Sequence, residues 1–389
     1  MNHIAFIADT TRELILANAR IVLRHEVVEG SIVVRDGIIH AIDQGLGVPP
    51  GAADFEGDYL LPGLVELHTD NVERHLMPRP GVLWPSSVAA LLAHDAQIIA
   101  AGITTVLDAI AVGEYAENSH RRTMLPKMVE GVHEGRAAGL FRADHLMHMR
   151  CEIADRAVVE MFESVADNPL IRLVSLMDHT PGQRQFQDIE QYRRYTRGRG
   201  WSDADFEADL ARRREWQAVY AEPSRRTILE LARNRDIPIA SHDDTTAAHI
   251  EEAVADGITI AEFPTTMAAA TGAKAARMRT IAGAPNVVRG GSHSGNVSAA
   301  ELAAAGVLDA LSSDYMPASL LHAAFMLHGG TGMALPQAIA TISANPAQMI
   351  GLDDRGEIAP GRRGDLLRVR LHAGTPVVRR VWREGRRVA

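Results

Sequence analysis

Cysteine is nearly absent from this chain. Cys151 stands alone among 389 residues, which excludes an intrachain disulfide framework and fits a reducing compartment. Lysine is almost as scarce. Of 40 basic residues only Lys127 and Lys274 are lysines; a codon bias toward arginine accounts for this more simply than function does. The longest apolar runs fall far short of a membrane span. The stretch MNHIAFIADTTRELI carries neither a basic n-region nor an apolar h-region, so a secretory signal is not expected and a cytoplasmic location is. A net charge of −9 argues against a general nucleic-acid binder or an anionic-membrane binder. No glycine-rich dinucleotide fingerprint follows an early strand. There is no internal repeat and no low-complexity tract.

What is present suffices for a large core. The hydrophobic fraction is 46%, and the length exceeds that of one ordinary domain. Residues 12–60 read as short strands with tight turns, with Arg35-Asp36-Gly37 as a hairpin signal. From about residue 61, apolar strand-like runs alternate with helical segments. The runs are Leu64–Asp70, Thr104–Ile110, His145–Glu152, Ile171–His179, Ile237–Asp243, Ile258–Phe263, Asn286–His293 and Leu308–Asp314. Eight such runs over roughly 250 residues are the size of a (β/α)8 barrel. Helices are expected between them, among them Ser87–Ala101 with Ser86 as N-cap and Gly102 as its stop, and a pair, Asp203–Tyr220 and Ser224–Asn234. The tail from Gly356 returns to short strands that complete a small β-sandwich with the N-terminal ones. The expected division is 1–60 plus 346–389 for the sandwich and 61–345 for the barrel. The excursion 182–222 holds eight Arg and eight Asp or Glu. It reads equally as a solvated helical pair or as a lid at the barrel rim.

The segment LVELHTD carries the strongest chemical signal. Alternate residues of a strand share a face, so His68 and Asp70 are a natural pair of ligands for one divalent metal. In a barrel of this kind the C-terminal strand ends build the site. Those ends read His68 and Asp70, Asp108, Glu152, His179, His242-Asp243-Asp244, His293 and Asp314. Each histidine alone could be a satisfied core residue, but so many convergent His and carboxylates point to a site for one or two metal ions. Two cations need a bridging anion. Neither lysine is at a strand end, so Glu152 is the candidate bridge, with an ion pair to Arg150 as its plain alternative. Asp314 is the candidate final-strand ligand and proton acceptor.

These segments resemble the amidohydrolase superfamily. LLPGLVELHTD is similar to its first-strand motif, GITTVLDA to its second, and SANPAQMIGLDDRGEIAPGRRGDLL to its exit from barrel into sandwich. Two features depart from the usual pattern: His68-x-Asp70 replaces His-x-His, and the bridging lysine is missing. With HTDNVERHLMPRPGVLWP, HMRCE, SLMDHTPGQRQF, IASHDD, EFPTT, GGSHSGN and LSSDYMP, the chain looks like the phosphonate-metabolism branch of that superfamily, in the carbon–phosphorus lyase pathway. The resemblance implies a distorted barrel and one or two divalent ions, Zn²⁺ first, with Mn²⁺ or Fe²⁺ as alternatives. It implies hydrolysis of a sugar 5-triphosphate to the 5-phosphate and pyrophosphate, through attack of a metal-activated hydroxide at the α-phosphorus. The ligand set is then His68, Asp70, Glu152, His179, His242 and Asp314. Anion recognition falls to Arg74, His75, Arg79, Arg184, Arg289 and His293, since arginine suits bidentate phosphate contacts; for any one arginine a surface ion pair is the plainer reading. Glycines around Ser292, Ser294 and Asn296 would let backbone N–H groups approach phosphate.

Two other readings compete. An amidohydrolase acting on a cyclic amide, an N-acyl amino acid or an aminated base would share the metals but want fewer phosphate-binding groups. A non-catalytic scaffold protein of the same fold would have lost ligands. The expected partner is a small phosphorylated sugar, with no nucleic acid and no membrane; a homo-oligomer is left open.

Overall fold

The computed structural model describes residues 13–113, 120–292 and 295–389. Two eight-stranded sheets organise them. The first is built from both chain ends. Its strands are β1 (Glu13–Val22), β2 (Val27–Arg35), β3 (Ile38–Gln44), β4 (Ala53–Asp54) and β5 (Tyr59–Pro62) from the start of the chain. The second is the barrel: β6 (Leu64–Thr69), β7 (Ile103–Val112), β8 (Asp144–Glu152), β9 (Ile171–Met177), β10 (Ile239–His242), β11 (Ile260–Glu262), β12 (Arg279–Gly283) and β13 (Ala310–Ser312). Then β14 (Leu366–His372), β15 (Thr375–Arg383) and β16 (Arg386–Arg387) return to the first sheet, where β14 pairs antiparallel with β5. Phe55 stacks on Trp382 at 5.9 Å across the sandwich core.

The barrel strands pair in parallel in sequence order from β6 to β13. A parallel bridge between Thr69 and Asp314 joins the last strand end to the first. Every residue of β6 and β7 is buried, as expected of strands covered on both faces. Val65, Leu67, Leu107, Leu146, Leu173, Ala240, Ile260, Ile281 and Ala310 draw on all eight strands and fill the interior. Helices pack outside, among them Ser87–Ala100, whose Ser86 hydroxyl accepts from Ala89 N–H at 3.2 Å. Gly102 follows at φ +86°, and a Cβ there would lie 2.8 Å from Leu367 Cδ1, so glycine is required at this barrel–sandwich junction.

Two expected elements differ. The seventh strand is Arg279–Gly283, not Asn286–His293. Ala284–Arg289 is a helix with Pro285 in its first turn and left-handed Gly290 at its end; the Pro and Gly bracket outweighs the strand-like Val287-Val288 pair. The expected pair Asp203–Tyr220 and Ser224–Asn234 is one helix, Asp203–Arg233, running through Pro223. Ala221, Ser224 and Ile228 are buried across the proline, and the Glu222–Arg226 pair at 2.7 Å spans it, so packing holds what the missing N–H gives up. Among the described residues no helix is long and apolar enough to cross a membrane.

Candidate metal centre and substrate cleft

The C-terminal strand ends are tied together by backbone and carboxylate. Asp314 N–H donates to His68 O at 3.0 Å, and Asp70 N–H to Asp314 O at 3.3 Å. Glu66 completes the closure: its Oε1 accepts from His68 N–H and its Oε2 from Ser313 N–H, both at 2.7 Å. Burial pushes the Glu66 carboxyl up to about 7, against the hydrogen bonds that lower it.

Three histidines present a common design. His68 Nδ1 lies 2.7 Å from Glu262 Oε1, and His242 Nδ1 lies 2.8 Å from Glu262 Oε2. His179 Nδ1 lies 2.6 Å from Glu152 Oε2, and its backbone N–H donates to Glu152 Oε1 at 3.0 Å. Burial alone would raise the Glu262 carboxyl. The charges of His68 and His148 and the imidazole hydrogen bonds outweigh it and hold Glu262 well below the usual carboxylate range. An ionised carboxylate only accepts, so Nδ1 of His68 and of His242 donates to Glu262, and Nε2 is the ring position left over for a metal. This is the arrangement that orients a metal-ligating imidazole.

Asp243 Oδ2 lies 3.5 Å from Nε2 of both His179 and His242. Ligand atoms of His179, His242 and Asp243 all fall within 4.8 Å of one another, as do those of His68, His242 and Glu262. Asp70 Oδ1 is buried without a hydrogen-bond partner. Burial lowers the proton affinity of His179, but Glu152 and Asp243 outweigh it and raise that histidine to about 9. The same negative field favours a metal cation. Mixed N and O donors and an orphaned carboxylate oxygen therefore fit a borderline divalent metal. Asp243, Phe263 and Asp314 have φ of 55°, 54° and 52°. Such strain at three strand ends is typical of functional sites.

A cavity of about 310 Å³ opens over these residues. Of the sequence-predicted residues, His68, Asp70, His179, His242, Asp314, Arg74 and Arg289 line it. Arg74 and Arg289 are exposed at its mouth. Ser292 and Asn296 line it too. Glu152 is buried behind His179, with Oε2 on the ring and Oε1 on the backbone N–H of that residue, and is not among the cavity-lining residues. Arg184 turns to Asp244 and Glu252 and is not among the cavity-lining residues. His75 hydrogen-bonds with Asn71 and Gln97 and stays outside the lining. Arg79 is exposed in a turn with Val82 and also stays outside. His293 lies outside the described residues. Asp108 points away from the cavity, because Leu107 beside it takes the barrel interior; its oxygens meet His94 Nε2 and His145 Nδ1, each at 2.8 Å.

Sequence reasoning missed Glu66, Glu262, Asp243 as a candidate ligand, and Arg150 as a cavity-lining residue. Glu262 ends β11 within EFPTT, so its strand-end position was the available signal.

Residues 171–389, more than half of the chain, match the model of the Amidohydrolase family. The chain belongs to this family. It is 45% identical over 378 residues to alpha-D-ribose 1-methylphosphonate 5-triphosphate diphosphatase of Escherichia coli (strain K12), covering 96% of this chain and 100% of that protein. Among solved structures, N-acetylglucosamine-6-phosphate deacetylase from Pasteurella multocida is similar, with a TM-score of 0.64 at 14% identity over 97% of this chain and 100% of that one. So is 5-methylcytosine deaminase from Klebsiella pneumoniae, with a TM-score of 0.65 at 14% identity and 97% of both chains. These two share the fold. The chain is accordingly a hydrolase on an amidohydrolase barrel.

Proposed function

We propose that this protein hydrolyses alpha-D-ribose 1-methylphosphonate 5-triphosphate to the 5-phosphate and pyrophosphate, in phosphonate metabolism in the cytoplasm. The observation that carries this reading is the 45% identity along the whole length of the E. coli diphosphatase. The cleft agrees with it: histidines and carboxylates at the base, arginines at the mouth.

His68, Asp70, His179, His242, Asp243 and Asp314 would hold one or two divalent ions, zinc before manganese or iron, with Glu262 and Glu152 orienting the imidazoles. When bound, such ions supply an acidified water and neutralise phosphate charge. Asp314 accepts the proton of the attacking water. The water oxygen bonds to the α-phosphorus, the α–β anhydride bond breaks, and its electron pair leaves with pyrophosphate. Arg74 and Arg289 hold the departing charge at the mouth. The excursion 182–222 supplies Gln185 to the cavity wall and sets Phe186 against the His179 ring at 6.3 Å, which suits a lid over the site. A net acidic protein can bind a polyanion because local charge sets the potential in a cleft.

The test is phosphorus NMR of the metal-loaded protein with this triphosphate. Pyrophosphate together with a sugar 5-monophosphate is the expected outcome. Unchanged substrate, with bound metal verified, would sink the reading and favour an amide or aminated base on the same barrel. Absence of bound metal would favour a non-catalytic scaffold.

A further inference from the structure

The inward face of β8 climbs from apolar to charged. Leu146 joins the barrel core. His148 comes next, with Nδ1 3.0 Å from Leu67 O and Nε2 2.9 Å from Ser175 Oγ. Arg150 and Glu152 follow on the same face, by strand alternation. Leu146, His148 and Glu152 are satisfied by packing or hydrogen bonds. Arg150 is not.

Arg150 lines the cavity with His68, Asp70 and Asp314. Among the described residues no side chain or carbonyl forms a hydrogen bond or ion pair with its guanidinium, and its Nε is buried without a partner. It lies in the field of Asp70, Glu73, Asp314 and Glu262, so its charge is balanced although its donors are free. A guanidinium carries five N–H donors in a fixed fork, and leaving buried donors unmet is costly. Such a group is matched by a ligand that brings oxygens in the geometry of a carboxylate or phosphate.

Depth separates this arginine from the others. Arg74 is in contact with Tyr315 and exposed, and Arg289 ends a helix and is exposed. Both stand where a leaving pyrophosphate would pass. Arg150 stands below them among the histidines and carboxylates at the base.

We propose that Arg150 donates to the non-bridging oxygens of the phosphoryl group under attack, and so is a catalytic residue that stabilises charge as the anhydride bond breaks. The proposal rests on the triphosphate hydrolase reading. It adds no reactant: water still attacks and pyrophosphate still leaves, while Arg150 keeps its proton. Its contribution comes from donors fixed in advance at the reacting group.

The test uses Arg150→Met and Arg150→Lys in the metal-loaded enzyme, with metal content and melting followed alongside. The expected result for Arg150→Met is a fall of roughly 10²–10³-fold in kcat, a smaller change in KM, and unchanged inhibition by pyrophosphate. Binding of inorganic phosphate, read by calorimetry, should weaken at least about tenfold, the size of a lost charged hydrogen bond. Arg150→Lys should restore only part of turnover, because one ammonium cannot replace a fork. Two results would overturn the proposal: turnover and phosphate binding unchanged in Arg150→Met, or full turnover in Arg150→Lys, which would reduce the residue to a balancing charge. Phosphate binding that depends on Arg150 in an enzyme inert toward the triphosphate would reject the substrate reading and leave the anion contact standing.

Discussion

Among the described residues, the barrel holds two clusters made from the same residue types. Behind β7 and β8, Asp108 joins His94 and His145, and the outer ring nitrogens reach Asn71 Nδ2 at 3.1 Å and Asp95 Oδ1 at 3.4 Å. All four ring nitrogens there have a polar partner within the protein. At the strand ends, His68, His179 and His242 each turn Nδ1 to a carboxylate and line the cavity with the rest of the ring, beside an Asp70 oxygen that has no partner. Both clusters place ligand atoms within 4.8 Å. Composition and distance therefore do not separate a structural network from a metal centre. Ring edges that line a cavity beside an unpartnered carboxylate oxygen do. The closed cluster still serves the open one, since Asn71 directly follows Asp70 and begins the helix that carries Arg74.

Substitutions in each cluster should break in different ways. In the open cluster, Asp314→Asn should keep metal content while turnover falls by about 10²–10⁴-fold, the range of a lost general base; steady-state kinetics with metal analysis checks this, and a fully active variant would remove Asp314 from the chemistry. In the closed cluster, Asp108→Asn should cost stability instead, about 3–5 kcal/mol for one partner of a buried charged pair. Denaturant unfolding measures it, and turnover per folded molecule should stay near the parent value. Between these stands Glu262→Gln, which keeps the shape but weakens the hold on two imidazoles. Its expected signature is a 10–100-fold loss of metal affinity, read by competition with a chelator; unchanged affinity would show that Glu262 does not orient the ligands.

The smallest effect concerns pH. Burial lowers His145, but Asp108 and Asp95 outweigh it and raise it to about 9 from an ordinary 6.5. Burial raises Asp108, but His145 and His94 outweigh it and bring it to about 2 from an ordinary 3.8. A raised histidine stabilises fully below its unfolded value and loses that contribution as pH rises through its folded value. A lowered carboxyl stabilises fully above its unfolded value and loses it as pH falls through the folded one. The pair is thus at full strength between about pH 4 and 6.5 and weakens toward pH 9. Unfolding midpoints at pH 6.5 and 9 should diverge less in Asp108→Asn than in the parent. Equal divergence would mean that other groups carry the alkaline loss.

Much of this was legible along the chain. Seven of the eight barrel strands, the cap at Ser86 and the C-terminal return to the sandwich follow from apolar runs and turn residues. His68, Asp70, His179, His242 and Asp314 were readable because each sits at or just beyond the end of such a run. The seventh strand was misread because Val287-Val288 is short and apolar in either conformation, and only its Pro285–Gly290 bracket marks a helix. Arg150 was visible as a neighbour of Glu152, but nothing local shows that its donors go unmet. Asp108 looked like a site residue until the alternation of β7 turned it outward.

Strand and helix and the residue types at the barrel mouth were set locally, because periodicity and turn chemistry act over a few residues. Which histidines are closed by protein and which stay open was set by strand register and barrel closure. His68 meets Glu262 across 194 residues of chain, and Glu66 meets Ser313 across 247. A one-residue shift of either strand would send those carboxylates to the opposite face. Such contacts exist only once eight strands have closed.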